Sequence, residues 1–296
     1  MSAVTSVVRT TGVVRLKNHR VNHRAATRRV SSEIVVVTPE RALALLEHNT
    51  INRPLSQPHV ARIAQQILDG KWKFNGDTIK IAATGDIVDG QHRLWAIAEA
   101  KTPVETVVVY GVERDAFATI DTLSKPRTGG DILALNGLDH NRRQTAAALA
   151  WLIRWGRKGA MVPWGIKGRV ENSEIEAAYS QHPAMAAAVD RVSRGVRGLC
   201  SVGLVGFLYY IIADRNTEIA ERMIETLESP AGVPTNDPFF RLRAHMTASL
   251  GRQHNPVLIV ALAIKAANTA KAGKRTEHLS WKSQGRSPEP FPKLDV

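Results

Sequence analysis

A single cysteine, Cys200, stands in 296 residues. One thiol can neither close an internal disulfide nor build a cysteine-rich zinc site. It lies in an apolar helical pattern and reads as a small buried residue. A reducing, cytoplasmic setting is expected, nucleoid-associated if the chain holds DNA. Aromatics make up only 5% of the chain, although its 44% hydrophobic fraction is that of a folded protein. No apolar run reaches membrane-spanning length. The longest, Leu199 to Ala213, is about 15 residues against the roughly 20 required, and Asp214 and Arg215 close it. Met1 to Val14 has no sustained apolar core, so neither a signal peptide nor a membrane partner is expected. There is no Walker phosphate loop, no His-Glu-x-x-His helix and no clustered carboxylates of the kind a metal-dependent nuclease needs. His140, His182, His245 and His254 are scattered, which suits surface or structural roles.

Acidic residues are also missing from the first 32 positions, where Arg9, Arg15, Lys17, Arg20, Arg24, Arg28 and Arg29 accumulate. An uncompensated basic arm suits phosphate contact, and a solvated tail is the plain alternative. Net charge is +13, which argues for a polyanionic partner, DNA first. Residues 1–32 are expected to be a flexible basic arm. Glu33 to Val37 reads as a strand. Thr38-Pro39 opens a helix through Leu46, and Ser56 opens a second, Gln57 to Leu68, with Val60, Ile63, Ala64 and Ile67 on one face. Strands follow at Thr78 to Ala82, Ile87-Val88 and Thr106 to Tyr110, and a short helix near Arg114 to Ile120. Beyond Gly129-Gly130 the pattern becomes helical, with eight amphipathic segments between Asp131 and Ala272. Ser173-Glu174-Ile175-Glu176 reads as a capping box. The tail, 273–296, is basic and contains proline, and is expected along the surface.

One stretch organises the chain: Ile87-Val88-Asp89-Gly90-Gln91-His92-Arg93-Leu94-Trp95-Ala96. A strand runs through one acidic residue and a glycine into an amide, an imidazole and a guanidinium at a helix start. Such a turn can seat a phosphate on backbone N–H groups and positive charge, with Gly90 admitting close approach. It can equally be a plain strand–turn–helix junction, capped by Asp89 with Arg93 solvated.

Three blocks together resemble the ParB/sulfiredoxin superfamily, in particular its DGQHR-type, ParB-like members of phages and mobile elements. They are Asn52-Arg53-Pro54-Leu55-Ser56, Asn75-Gly76 with the strand after it, and Val88 to Arg93. The segment Asp115 to Thr122, with Arg127-Thr128, is similar to the same group. The resemblance covers residues 34 to 128. It implies an α/β, ParB/sulfiredoxin-like nucleotide-binding domain over 33–128, followed by an all-α helical domain over 129–272. It also implies a nucleotide, ATP or CTP, on Gly90, Gln91, His92 and Arg93. Arg53, just before Pro54, is a further candidate for its phosphates or base, with a buried structural ion pair as the equal alternative. Departures limit the transfer. Sulfiredoxins carry their reactive cysteine where this chain has Gln91, which excludes sulfinic acid reduction. Partition clamps carry Gly-Glu-Arg-Arg at the turn, and free-serine kinases add a glutamate near the upstream loop, where Asn52-Arg53-Pro54 stands here.

With a nucleotide at the turn, Asp89 becomes the candidate catalytic residue, orienting an acceptor hydroxyl or holding Mg²⁺. Asn52, Asp121 and Arg127 are expected to support it from behind. Arg24, Arg28, Arg29, Arg154, Arg157 and Lys158 are candidate nucleic-acid contacts, the last three beside Trp151, Trp155 and Trp164. The plain reading of Trp151 and Trp155, spaced i, i+4, is helix core. The expected function is NTP-dependent phosphoryl transfer or NTP hydrolysis linked to DNA or a modified base. A nucleotide-gated, non-enzymatic DNA-binding protein, partition-like or regulatory, is the alternative, and a ParB-like nuclease ranks last. A homodimer is compatible with each.

Overall fold

The computed structural model describes every residue except 1–2, 11–12, 21–29, 51, 53, 121–125, 158–160, 163–164, 167, 194, 197 and 249–254. For 3–10, 13–20, 117–118, 161–162 and 165–166 it describes the backbone alone. The chain divides into two compact units, Met1–Lys125 and Pro126–Val296. The first mixes a small sheet with helices and the second is chiefly helical.

The first unit opens with β1 (Ala3–Thr10) and β2 (Val13–Arg20), paired antiparallel with Ala3 opposite Arg20. This hairpin lies where an arm without regular structure was expected. Val4, Thr5, Val7, Val8, Val13 and Val14 carry a β-propensity that the basic charge had masked. Next come β3 (Ser31–Val37), α1 (Pro39–Leu46), α2 (Gln57–Leu68), β4 (Thr78–Ala82), β5 (Ile87–Asp89), α3 (Gln91–Ala100) and β6 (Val104–Val112). A 3-10 turn, Arg114–Ala118, follows. The four later strands form one mixed sheet in the order β3-β6-β4-β5. Pair β4/β6 is parallel, and pairs β3/β6 and β4/β5 are antiparallel.

Alternation along the strands sets the faces. Val37, Ile79, Ile81, Val104 and Val108 turn into a core shared with Val60, Ile63, Ala64 and Ile67 of α2 and Leu94 and Ile97 of α3. Ile34 and Val36 of β3 stay exposed. Helix α3 packs against both α1 and α2. Burying its apolar side fixes its first turn, and with it the glycine turn before it, beside the N-terminus of α2. Thr38 caps α1 as expected, its side chain accepting the N–H of Arg41 at 3.2 Å.

The second unit runs α4 (Gly129–Leu135), α5 (Arg142–Gly156), α6 (Asn172–Gln181), α7 (Met185–Val192), α8 (Val202–Ala213), α9 (Thr217–Glu228), α10 (Pro238–Ala248) and α11 (Pro256–Lys271). Between α5 and α6 a two-stranded pair, β7 (Met161–Val162) and β8 (Gly165–Ile166), departs from the all-α expectation. The apolar run noted in the sequence is α8, a core helix packed against α5, α7 and α9. Gly203 lets α5 approach, since a Cβ there would stand 2.7 Å from that of Ala147. Among the described residues, no helix is long and apolar enough to cross a membrane.

Three local expectations shift. Gly129 and Gly130 open α4, capped by Thr128 with Asp131, so the helical pattern begins at the glycines rather than beyond them. The capping box of α6 is Glu171 with Glu174, because the helix starts before Ser173. In the tail, Trp281 is buried and stacks edge-on with Phe291 at 5.3 Å. An apolar pair among basic and proline residues thus ties 273–296 to the helical core.

Candidate functional site

Strand β5 ends at Asp89 and α3 begins at Gln91, so Gly90 carries the whole turn. Its φ is +103°, a region that side chains with a Cβ avoid. A Cβ there would stand 3.1 Å from Ile79 Cγ1 and 3.2 Å from Ile79 Cα. Glycine is therefore demanded by the neighbouring strand as well as by the turn. Gly90, not Asp89, occupies the N-cap, and no side chain caps α3. Asp89 instead holds two cations. Lys80 Nζ lies 2.6 Å from its Oδ2 and Arg93 Nη2 lies 3.3 Å from the same atom. Arg93 is thus half of a shielded ion pair rather than a solvated side chain, and Nη1 also stands 3.9 Å from Asp77 Oδ2. Asp89 Oδ1 has no bonded partner among the described residues.

Two of the proposed phosphate-binding residues are tied to the neighbouring loop through their acceptor atoms. Gln91 is buried and its Oε1 accepts from Asn49 Nδ2 at 3.0 Å. His92 is buried and its Nε2 accepts the backbone N–H of Ser56 at 3.1 Å. An imidazole nitrogen that accepts carries no proton, so His92 is a neutral joint between α3 and the start of α2. These bonds stitch the 49–56 loop to the turn. Asn52 Nδ2 donates to the carbonyl of Ile87 at 2.7 Å and to Asn49 Oδ1 at 2.6 Å. Thr50, Thr84 and Arg114 all donate to the carboxylate of Asp86. Those three bonds hold its carboxyl far below the usual carboxylate range.

A cleft of about 420 Å³ opens over the turn. Asp89 to Arg93 line it with Asn52. Helix α2 adds His59 and Ile63, the segment beyond it Trp72, and the entry to β4 Gly76, Asp77, Thr78 and Lys80. Asp77 supplies the second carboxylate that sequence reasoning missed. Its side chain is 63% exposed against 19% for Asp89. Its backbone is fixed, with its N–H on Asn75 Oδ1 and its carbonyl accepting from Thr106 Oγ1. The signal was there: Asp77 follows the Asn75-Gly76 block directly, and Lys80 sits two residues inside the next strand, in register with Asp89.

Among the described residues no group of three or more His, Cys, Asp or Glu side chains gathers to hold a metal ion, so a divalent cation here would have to arrive with a nucleotide's phosphates. Lys80 and Arg93 offer phosphate charge beside the first turn of α3. Asp77 and the open oxygen of Asp89 offer the one or two carboxylates that Mg²⁺ takes when substrate phosphates complete its shell.

Arg53 and Asp121 lie outside the described residues, as do Arg24, Arg28, Arg29 and Lys158. Arg127 falls in the second unit, where its carbonyl accepts from Asn172 Nδ2 at 2.8 Å. Arg154 Nε donates to the Gly168 carbonyl, and Arg157 binds the Arg169 carbonyl and Glu174. Both guanidiniums thereby tie α5 to the strand–helix connection after it. Burial, with Arg157 nearby, lowers the pKa of Arg154. Trp151 and Trp155 pack on Phe207, and Trp155 also meets Phe291, which is the helix-core arrangement. His140 pairs with Asp190, and His182 with Tyr210. Cys200, expected to be buried, is half-buried, and burial pushes its thiol up, which favours the protonated form. Comparison with protein-family models, with curated proteins and with solved structures found no match for the chain.

Proposed function

We propose that the first unit is a ParB/sulfiredoxin-like domain that binds a nucleoside triphosphate, ATP or CTP, over the Gly90 turn. The chain is then an NTP-dependent phosphotransferase or NTPase that works with DNA. One observation carries this reading: Arg93 stands between two carboxylates, Asp89 and Asp77, at the mouth of a cleft beside a helix N-terminus. Phosphoryl transfer asks a protein mainly for position and charge. Lys80 and Arg93 supply positive charge, and Asp89 holds both in place. Asp77, anchored by its backbone and open to solvent, can receive an acceptor hydroxyl or water. Magnesium arriving with the nucleotide offsets phosphate charge. DNA enters through the net charge of +13.

The test is transfer or release of the γ-phosphate from labelled ATP or CTP with Mg²⁺, in the presence and absence of DNA. Wild type should turn over and Asp89→Asn should not. Equal turnover by the two proteins would falsify the reading.

A second reading has its own support: Asp89 is already ion-paired with Lys80 and Arg93. In that case the nucleotide gates DNA binding without chemistry. DNA affinity then changes with nucleotide, falls with salt, and loses its nucleotide dependence in Arg93→Ala.

A further inference from the structure

The cleft has an apolar side as well as a charged one. His59 and Ile63 stand one turn apart on α2, and both line it with Trp72. Trp72 is half-buried and packs on the core of the unit. Its Nε1 is nevertheless buried without a hydrogen-bond partner, alone in this unit among the described residues. An indole N–H can only donate, and a buried one is ordinarily matched. The charged groups of the cleft leave this side unused, since Lys80, Asp77, Asp89 and Arg93 engage one another. An aromatic ring, a branched apolar side chain and an unmet donor next to a cationic turn match the needs of a nucleobase. The base offers a flat π-face to stack, and the sugar beside it offers oxygens that accept.

Resting on the nucleotide reading above, we infer that Trp72, with Ile63 and the His59 ring, is the base subsite of this cleft. The base of the triphosphate stacks on the indole face, and Nε1–H, which lies in the plane of that ring, donates to an oxygen of the sugar beside the base. The phosphates extend from there over Gly90 toward Arg93 and Lys80. The subsite makes the protein select nucleotides over bare polyphosphate.

The experiment uses the full chain, Mg²⁺ and three probes: ATP, CTP and inorganic tripolyphosphate. By calorimetry, wild type should bind at least one nucleotide about tenfold tighter than tripolyphosphate, the scale of one stacked base. Trp72→Ala should bring nucleotide affinity down to that of tripolyphosphate while leaving the latter unchanged. Trp72→Phe keeps an aromatic face and should hold nucleotide affinity within about threefold. It also removes one of six indole N–H signals, which assigns Trp72 in the ¹⁵N spectrum of wild type. That signal should move with nucleotide and stay still with tripolyphosphate. The subsite is overturned alone if nucleotide binds while the Trp72 signal stays put, or if folded Trp72→Ala keeps its preference for nucleotide. If wild type binds none of the three probes, the nucleotide reading falls and the subsite with it.

Discussion

The imidazole of His92 accepts the backbone N–H of Ser56 at 3.1 Å, so the first turn of α3 supplies the cap that α2 lacks. The Ser56 hydroxyl makes no capping bond of its own. The ring of His59 stands edge-on to His92 at 4.9 Å, and the pair closes the corner between the two helices. His92 is therefore read as a joint of the site. His92→Ala strands a partly buried N–H and opens a gap, at a cost of about 2–3 kcal/mol. Urea denaturation should show that loss. Nucleotide affinity should fall less in this variant than in Arg93→Ala, because a neutral imidazole brings no positive charge to a phosphate, whereas Arg93 does.

Asp89→Asn separates charge from shape. The cleft mouth carries Lys80 and Arg93 against Asp77 and Asp89, so its near field is balanced before any phosphate arrives. Removing one carboxylate charge should tighten binding of metal-free ATP or CTP several-fold, on the order of 1 kcal/mol for a partly exposed neighbour. Turnover should fall at least about a hundredfold if Asp89 positions the reacting groups. Calorimetry in EDTA and phosphate release in Mg²⁺ read the two effects separately. Weaker metal-free binding in the variant would show that Asp89 serves the site only by holding Lys80 and Arg93.

Gly90→Ala meets two penalties at once. The residue must keep a φ of +103°, and the new methyl lies 3.1–3.2 Å from Ile79. The second contact includes a backbone atom of a central strand, which yields little. A destabilisation of about 2–3 kcal/mol is expected, read as a lower thermal midpoint.

Much of this arrangement was legible, and the gaps have physical causes. Thr38-Pro39 announced α1, the four buried residues on one face of α2 were read from period alone, and the strand–glycine–helix turn is where its residue order put it. Sequence order cannot show who meets whom across a sheet. Lys80 and Asp89 lie nine residues apart yet face each other because β4 and β5 pair antiparallel. Gln91 and His92 look like phosphate donors in a linear motif, but the 49–56 loop, some 36–42 positions away, takes both. Asp77 drew no reading from the sequence, since its place in the cleft depends on β4 running beside β6. Charge also misled at the N-terminus, where basic residues hid the β-branched pattern of β1 and β2.

Asp86 gives a pH signature. Hydrogen bonds from Thr50, Thr84 and Arg114 depress its folded pKa below the unfolded value. A depressed carboxyl stabilises the fold above its unfolded pKa, near 3.9, and that contribution disappears as pH falls through the folded value. Asp86→Asn keeps an acceptor oxygen for one threonine and loses the charge that Arg114 meets. Wild type should exceed the variant in stability at pH 7 and 5, and the gap should narrow below about pH 4. Urea midpoints at four pH values suffice. A gap that widens on acidification would put the stabilisation elsewhere than on the Asp86 carboxylate.

Trp155 tests whether the basic–aromatic stretch of α5 serves packing or DNA. Its ring lies 6.0 Å from Phe207 and 6.1 Å from Phe291, so it joins α5 to the core helix α8 and to the tail. The flanking Arg154 and Arg157 are spent on the carbonyls of Gly168 and Arg169 and on Glu174. Stacking on an unpaired base would require Trp155 to leave two aromatic partners at once. Truncation to Ala should therefore cost about 2–4 kcal/mol, somewhat under the range for a fully buried aromatic because the residue is only half-buried. Single-stranded DNA affinity, measured by fluorescence anisotropy at fixed salt below the unfolding transition, should change less than twofold, where loss of a stacked base costs about tenfold. A large drop in affinity with little loss of stability would move Trp155 from the core to the nucleic-acid face.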